Sequence, residues 1–168
     1  NPLYVRAMLF TLADAGVPPT SASAVRVREV GPEPVARAVA LHLSRLPAAA
    51  GELARAVAIL GRDAQLEQAA DLAGLVRAAA ASAAAELVCG DLLRPGPALE
   101  FSHPVVRTAV YESMGAGERA VAHRRAAGFL VAADAEPEQP ASHLMRVPPG
   151  GDPLAVAVMR AAARLVSL

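Results

Sequence analysis

The chain is predicted to be mainly α-helical with one small β-hairpin, and three observations carry that prediction. Hydrophobic residues make up 54% of the sequence but aromatic ones only 3%, because alanine dominates the apolar fraction. Alanine is the best helix former, whereas strands draw on β-branched and aromatic residues. In most segments apolar residues recur at three- and four-residue intervals, which places them on one helical face. The 14 prolines and 12 glycines then cut this pattern into short pieces, since both residues mark helix boundaries.

At the N-terminus, Asn1 and Pro2 read as an N-cap followed by proline at the first helical position. Val5, Met8, Leu9 and Leu12 continue at helical spacing until Gly16. Residues 17–31 form a linker with a short strand or turn over 25–30. Pro32 starts a second helix, whose Val35, Val39, Leu43 and Leu46 share one face. Pro47 opens a third, with Leu53, Val57 and Leu60 pointing inward and Gly61 closing it. A short helix over 65–72 stops at Gly74, and an alanine-rich helix over 76–89 is capped by Gly90.

The period then changes. Leu92-Leu93-Arg94, Pro95-Gly96-Pro97 and Leu99-Glu100-Phe101 read as strand, tight turn, strand. Helices over 47–61, 65–73 and 76–89 followed by a hairpin over 91–101 make the winged-helix order. Two helices follow, over 103–113 and 117–134. A short helical piece then holds His143 and Leu144, and Asp152 caps a last helix marked by Leu154, Val158, Ala161, Ala162 and Leu165. This tail reads as a helical hairpin of the kind that stacks into repeats.

Composition excludes several function classes. The 16 cationic residues are all arginine, and they balance 16 aspartates and glutamates. With no lysine, the chain has neither a Walker A phosphate loop nor a Schiff-base amine. A duplex-binding domain usually shows a basic face, and nothing in the balanced charge asks for one. The third helix of the winged-helix order offers only Arg77 and Glu86 among alanines, too little to read base edges, so contact with other protein suits it better. Cys89, the single cysteine, forms no intrachain disulfide and is expected to be a buried small hydrophobe. His42, His123 and His143 have no metal-binding spacing, and no GxSxG nucleophile elbow occurs, so the chain is not expected to be an enzyme. The sequence shows no apolar run long enough for a membrane span and no signal peptide, which predicts a cytoplasmic location and no membrane partner. It begins at Asn1 and stops within a helical pattern, as expected of a fragment of a longer protein.

The candidate site lies in Ser102-His103-Pro104 and the helix that follows. Ser102 is a natural N-cap, and Pro104 sits where a missing N–H costs nothing. His103, Arg107 and Tyr111 are spaced i, i+4, i+8 and share a face, while Val106 and Val110 are available for the core. A helix N-terminus carries roughly half a unit of positive charge, so a histidine and an arginine beside it make a place for a phosphate. The plainer alternative is a helix start whose histidine only packs and whose arginine makes a solvated ion pair.

Three stretches, NPLYVRAMLFTLADAG, LHLSRLPAAAGELARAVAILG and LLRPGPALEFSHPVVRTAVYESMGAGERAVAHRRAAGFLVA, carry a resemblance. Most specific is FSHPVVRTAVY with the following ERAVAHRRAA. Together they resemble the large ATP-binding LuxR-type transcriptional regulators of the STAND class of signal-transducing ATPases. The resemblance implies a helical lid segment over 1–46, a winged-helix-like domain over 47–114 and the start of a helical repeat region over 115–168. It places Pro2 at the proline of the family's Gly-x-Pro lid motif, near the adenine. His103 falls at the winged-helix histidine that approaches the β-phosphate of ADP, with Arg107 assisting on geometric grounds. Nucleotide-binding residues in the full-length protein would thus be Pro2, His103 and Arg107.

The implied function is a non-catalytic regulatory relay, with no cofactor of its own but ATP or ADP in the parent protein. Its partners would be an upstream ATPase core and downstream helical repeats of the same chain, with DNA bound only through a C-terminal helix-turn-helix beyond this stretch. A homodimer is compatible with an apolar face left open by truncation. The competing expectation is a helical protein-interaction scaffold without nucleotide control.

Overall fold

The computed structural model describes residues 33–62, 64–150 and 152–166. The expected N-terminal helix with Pro2, and the 17–31 linker, lie outside them. Among the described residues there are eight helices: α1 (Glu33–Leu43), α2 (Ala48–Leu60), α3 (Leu66–Ala73), α4 (Arg77–Cys89), α5 (Pro104–Ser113), α6 (Ala116–Ala132), α7 (Glu138–Leu144) and α8 (Pro153–Val166). The chain divides into two compact units, the first ending at Ser113 and the second beginning at Met114. No single helix among the described residues is long and apolar enough to cross a membrane.

In unit 1, α2 is the central helix. Ala50, Leu53, Ala54, Ala56, Val57, Ala58 and Ile59 are all buried, because α3, α4 and α5 all pack on it. Alanine on α2 lets these neighbours approach closely, while Leu53, Leu87, Leu92, Val106 and Val110 fill the space between. Helix α4 turns Ala80, Ala83 and Leu87 inward at i, i+3, i+7. Its Arg77 forms only a loose, exposed ion pair with Glu67 at 3.6 Å. Helix α1 packs on α5 through the buried Val39.

Helix ends follow local chemistry. At the start of α3, Gln65 and Gln68 form a reciprocal capping box. At its end Gly74 takes the left-handed conformation (φ +70°) and donates back to Ala70 and Asp71 carbonyls. Gly61 ends α2 at φ +88°, ψ −137°, a region that a side chain makes costly. Gly90 ends α4 for a different reason than a left-handed turn. Its φ is −84°, and Asp91 takes the left-handed position instead (φ +57°). A Cβ on Gly90 would stand 2.5 Å from Nε2 of His42, so glycine makes room for that ring.

The hairpin expected over 91–101 does not form as a pair of strands. Two isolated antiparallel bridges take its place, Leu93 with Phe101 and Ala64 with Leu99. Backbone N–H groups of Leu92 and Leu93 both donate to the Leu87 carbonyl, so these residues finish the exit from α4 and pair across only at the single Leu93–Phe101 bridge. Leu92 and Leu93 are both buried, which a strand with alternating faces does not give. Pro95 and Pro97 remove two further donors at the tip. The winged-helix expectation therefore keeps its three helices and loses its hairpin. A second correction concerns Cys89, expected to be buried: it ends α4 and is exposed.

In unit 2, α6 packs along α7, and α7 against α8. Ala127, Ala141, Leu144 and Val158 form the core, with Ala155 and Ala162 against it. Pro140 is tolerated near the start of α7 because N–H groups there have no helical acceptor. Asp152, expected to cap α8, accepts the Val156 N–H through its carbonyl, and its carboxylate lies 3.6 Å from Arg124.

Candidate functional site

Helix α5 begins one residue later than a Ser102 cap requires. Pro104 is the first helical residue, and His103 serves as the cap. Its Nδ1 accepts the Val105 N–H at 3.2 Å, and its carbonyl accepts from Val106 and Arg107. The Ser102 hydroxyl is engaged elsewhere, donating to the Asp91 carbonyl at 2.6 Å. That bond and the Ser102 N–H to Leu92 carbonyl bond fasten the entry of α5 to the exit of α4. A ring nitrogen that accepts carries no proton, so the proton of a neutral His103 sits on Nε2. With Nδ1 engaged by the Val105 N–H, Nε2 is the His103 nitrogen left to donate at this helix mouth.

Arg107 points across the unit to the C-terminal end of α2, where its Nη2 donates to the Ala58 carbonyl at 2.8 Å. Ala58 belongs to the last turn of α2, whose carbonyls lack helical partners and carry partial negative charge. The guanidinium also lies over the Tyr111 ring, 5.9 Å from its centre, a cation–π arrangement. The predicted i, i+4 neighbourhood of Arg107 and Tyr111 is thus realised.

Arg107 lines a cleft of about 560 Å³ together with Gly61, Arg62, Arg94, Glu100, Phe101 and Pro104. Three arginines and one glutamate are thus among the residues that line it, beside the N-terminal turn of α5. Arg94 is held in place twice: its N–H donates to the Glu100 carbonyl at 2.8 Å and its Nη2 to the Ser102 carbonyl at 3.2 Å. Phe101 supplies an apolar wall. Such a cleft suits a planar or phosphorylated anion, which arginine forks bind in bidentate fashion. His103 caps the helix at this mouth but is not among the described residues lining the cleft, and Pro2 lies outside the described residues. The site thus keeps Arg107 from the predicted set and adds Arg62 and Arg94. Neither was legible by helical spacing, because the Ala64–Leu99 and Leu93–Phe101 bridges bring them together.

Unit 2 holds a second cavity, of about 480 Å³ and largely apolar, between the segment after α7 and helix α8. It also buries two histidines that sequence spacing kept apart. His123 and His143 meet with Nδ1 atoms 2.9 Å apart. No group of three or more metal-ligating side chains occurs among the described residues. Comparison of the chain with known protein families, curated proteins and solved structures finds no match.

Proposed function

We propose that this chain is a non-catalytic regulatory module of an ATP-dependent, LuxR-type transcription regulator in the cytoplasm, relaying nucleotide state from an ATPase core to distal helical and DNA-binding parts. One observation carries this reading: the cleft at the mouth of α5, which Arg62, Arg94 and Arg107 line beside a helix N-terminus. The same mouth belongs to the FSHPVVRTAVY stretch that bears the family resemblance. Nucleotide held on the core would present its diphosphate to these guanidiniums and to the Nε2–H of His103 in a closed form. Pro2 would lie near the adenine. A ligand biases a two-state equilibrium only through contacts that differ between the states, and this cleft would supply the difference.

The test uses the protein that carries the ATPase core. His103→Ala and Arg94→Ala should each raise basal transcriptional output and weaken ADP binding. Unchanged basal output together with unchanged ADP affinity in both variants would end the reading. A second reading, a protein-interaction scaffold without nucleotide control, is favoured by the apolar groove of unit 2. It predicts partner binding that is indifferent to ADP and to the loss of Arg94.

A further inference from the structure

The two histidines of unit 2 are buried together, His123 with 1% of its surface exposed and His143 with 7%. One sits in the middle of α6 and the other near the end of α7. Their rings are tilted 42° with centres 5.1 Å apart, and Nδ1 faces Nδ1 at 2.9 Å. That separation is a hydrogen bond. Two nitrogens bound to one tetrahedral ion at about 2.0–2.1 Å each would stand farther apart.

A bond between two like atoms needs one proton between them. One ring must carry its proton on Nδ1 and donate; the other must carry its proton on Nε2 and accept. We propose that His123 and His143 form a one-proton lock, which ties α6 to α7 near neutral pH and opens in mild acid. The balance of protons sets how it opens. A first added proton goes to Nε2 of the donor ring and leaves the bond intact. The second must go to Nδ1 of the acceptor, where it would set N–H against N–H. The closed lock thus holds at most one extra proton, whereas the open state holds two.

The surroundings oppose charging. Burial, and then the Arg146 guanidinium, hold His143 below its ordinary value of 6.5. On α6, Arg119 donates to the Met114 carbonyl, Arg124 is held by Asp152 ahead of α8, and Arg125 lies two residues beyond His123. Helix α8 turns Val158, Ala155 and Ala162 to the shared core. Because His143 is depressed in the folded state, the sign is fixed. Its contribution is complete above about 6.5 and is lost as pH falls from there through the lower folded value. Acid therefore releases α7 from α6, and this device stands apart from the cleft of unit 1 and from any nucleotide.

The experiment is amide hydrogen exchange on the full chain, read as protection factors between pH 7.5 and 5.0, with α2 and α4 as internal reference. Protection in α6 and α7 should fall between roughly tenfold and a hundredfold per pH unit below about pH 6, for one to two linked protons, while the reference helices change little. His143→Asn keeps a polar side chain toward His123 but cannot titrate, and should flatten the dependence to less than twofold. Equal acid sensitivity in that variant, or steady protection in the unaltered protein, would overturn the lock. If His143→Asn does not fold, the ring nitrogen spectra of the unaltered protein decide. One Nδ1–H and one bare Nδ1 at pH 7.5 uphold it, and two bare Nδ1 atoms, or two imidazoliums with α7 still protected, refute it.

Discussion

Arg107 in unit 1 and His143 in unit 2 are both drawn into contacts away from bulk water, but only the histidine can surrender its charge. Arginine stays protonated at any ordinary pH, so the structure gives it a helix-end carbonyl and an aromatic face. Histidine instead meets its own kind, and the pair is satisfied only while it holds the right number of protons. The comparison separates two ways of spanning helices with a polar side chain. One is a permanent strut between α5 and α2, and the other a titratable latch between α6 and α7.

The largest expected effect tests whether the two units unfold together. Leu53 is fully buried at the centre of unit 1, and Leu53→Ala should cost about 3 kcal/mol. In a urea titration followed by exchange, α2 and α5 should lose protection while α6 and α7 keep theirs. Parallel loss in both units would show that strut and latch belong to one cooperative structure, and their contrast would then lose its meaning.

Next in size is the strut. Arg107→Met keeps most of the aliphatic stem but abandons the Ala58 carbonyl, and should destabilise unit 1 by about 2 kcal/mol. Arg107→Lys should recover part of that, because an ammonium can donate to the carbonyl but lacks the flat group that lies on Tyr111. Neither variant should alter the pH dependence of unit 2. Acidification reverses the roles. From pH 7.5 to 5.0 the stability of unit 2 should fall by at most about 1.4 kcal/mol per pH unit for each linked proton, and that of unit 1 should hold. Urea midpoints for each unit at both pH values check both halves of the claim.

The contrast also explains what could be read in the sequence. Helices were legible because alanine, proline and glycine set their length and the inward faces of α2, α4 and α5 follow helical spacing. Val106 and Val110 went to the core as expected, and Gly61 and Gly74 closed their helices. What escaped was set by contacts far apart in the chain. Arg62 and Arg94 converge only through single bridges. His123 and His143 are 20 residues apart on different helices, with nothing local to pair them. The hairpin misled because Leu92 and Leu93 look like a strand in composition, while their N–H groups are needed to end α4. Gly90 ends α4 as read, but the need for glycine there comes from the distant His42 ring, which spacing does not show.

The smallest expected effect separates two roles held by one residue of unit 1. His103 caps α5 through Nδ1, and under the proposed function its Nε2–H would meet a diphosphate. His103→Ala removes both, and should cost about 1 kcal/mol, the usual loss at a helix cap. Asparagine is also a preferred cap and can accept the same backbone N–H, but it has no group that reaches as far as Nε2. His103→Asn should therefore leave the urea midpoint of unit 1 within about 0.5 kcal/mol of the unaltered protein. In the protein with its ATPase core it should still raise basal output as much as His103→Ala does. If asparagine restores both stability and repression, the histidine is a cap and nothing more, and the phosphate contact belongs to the arginines alone.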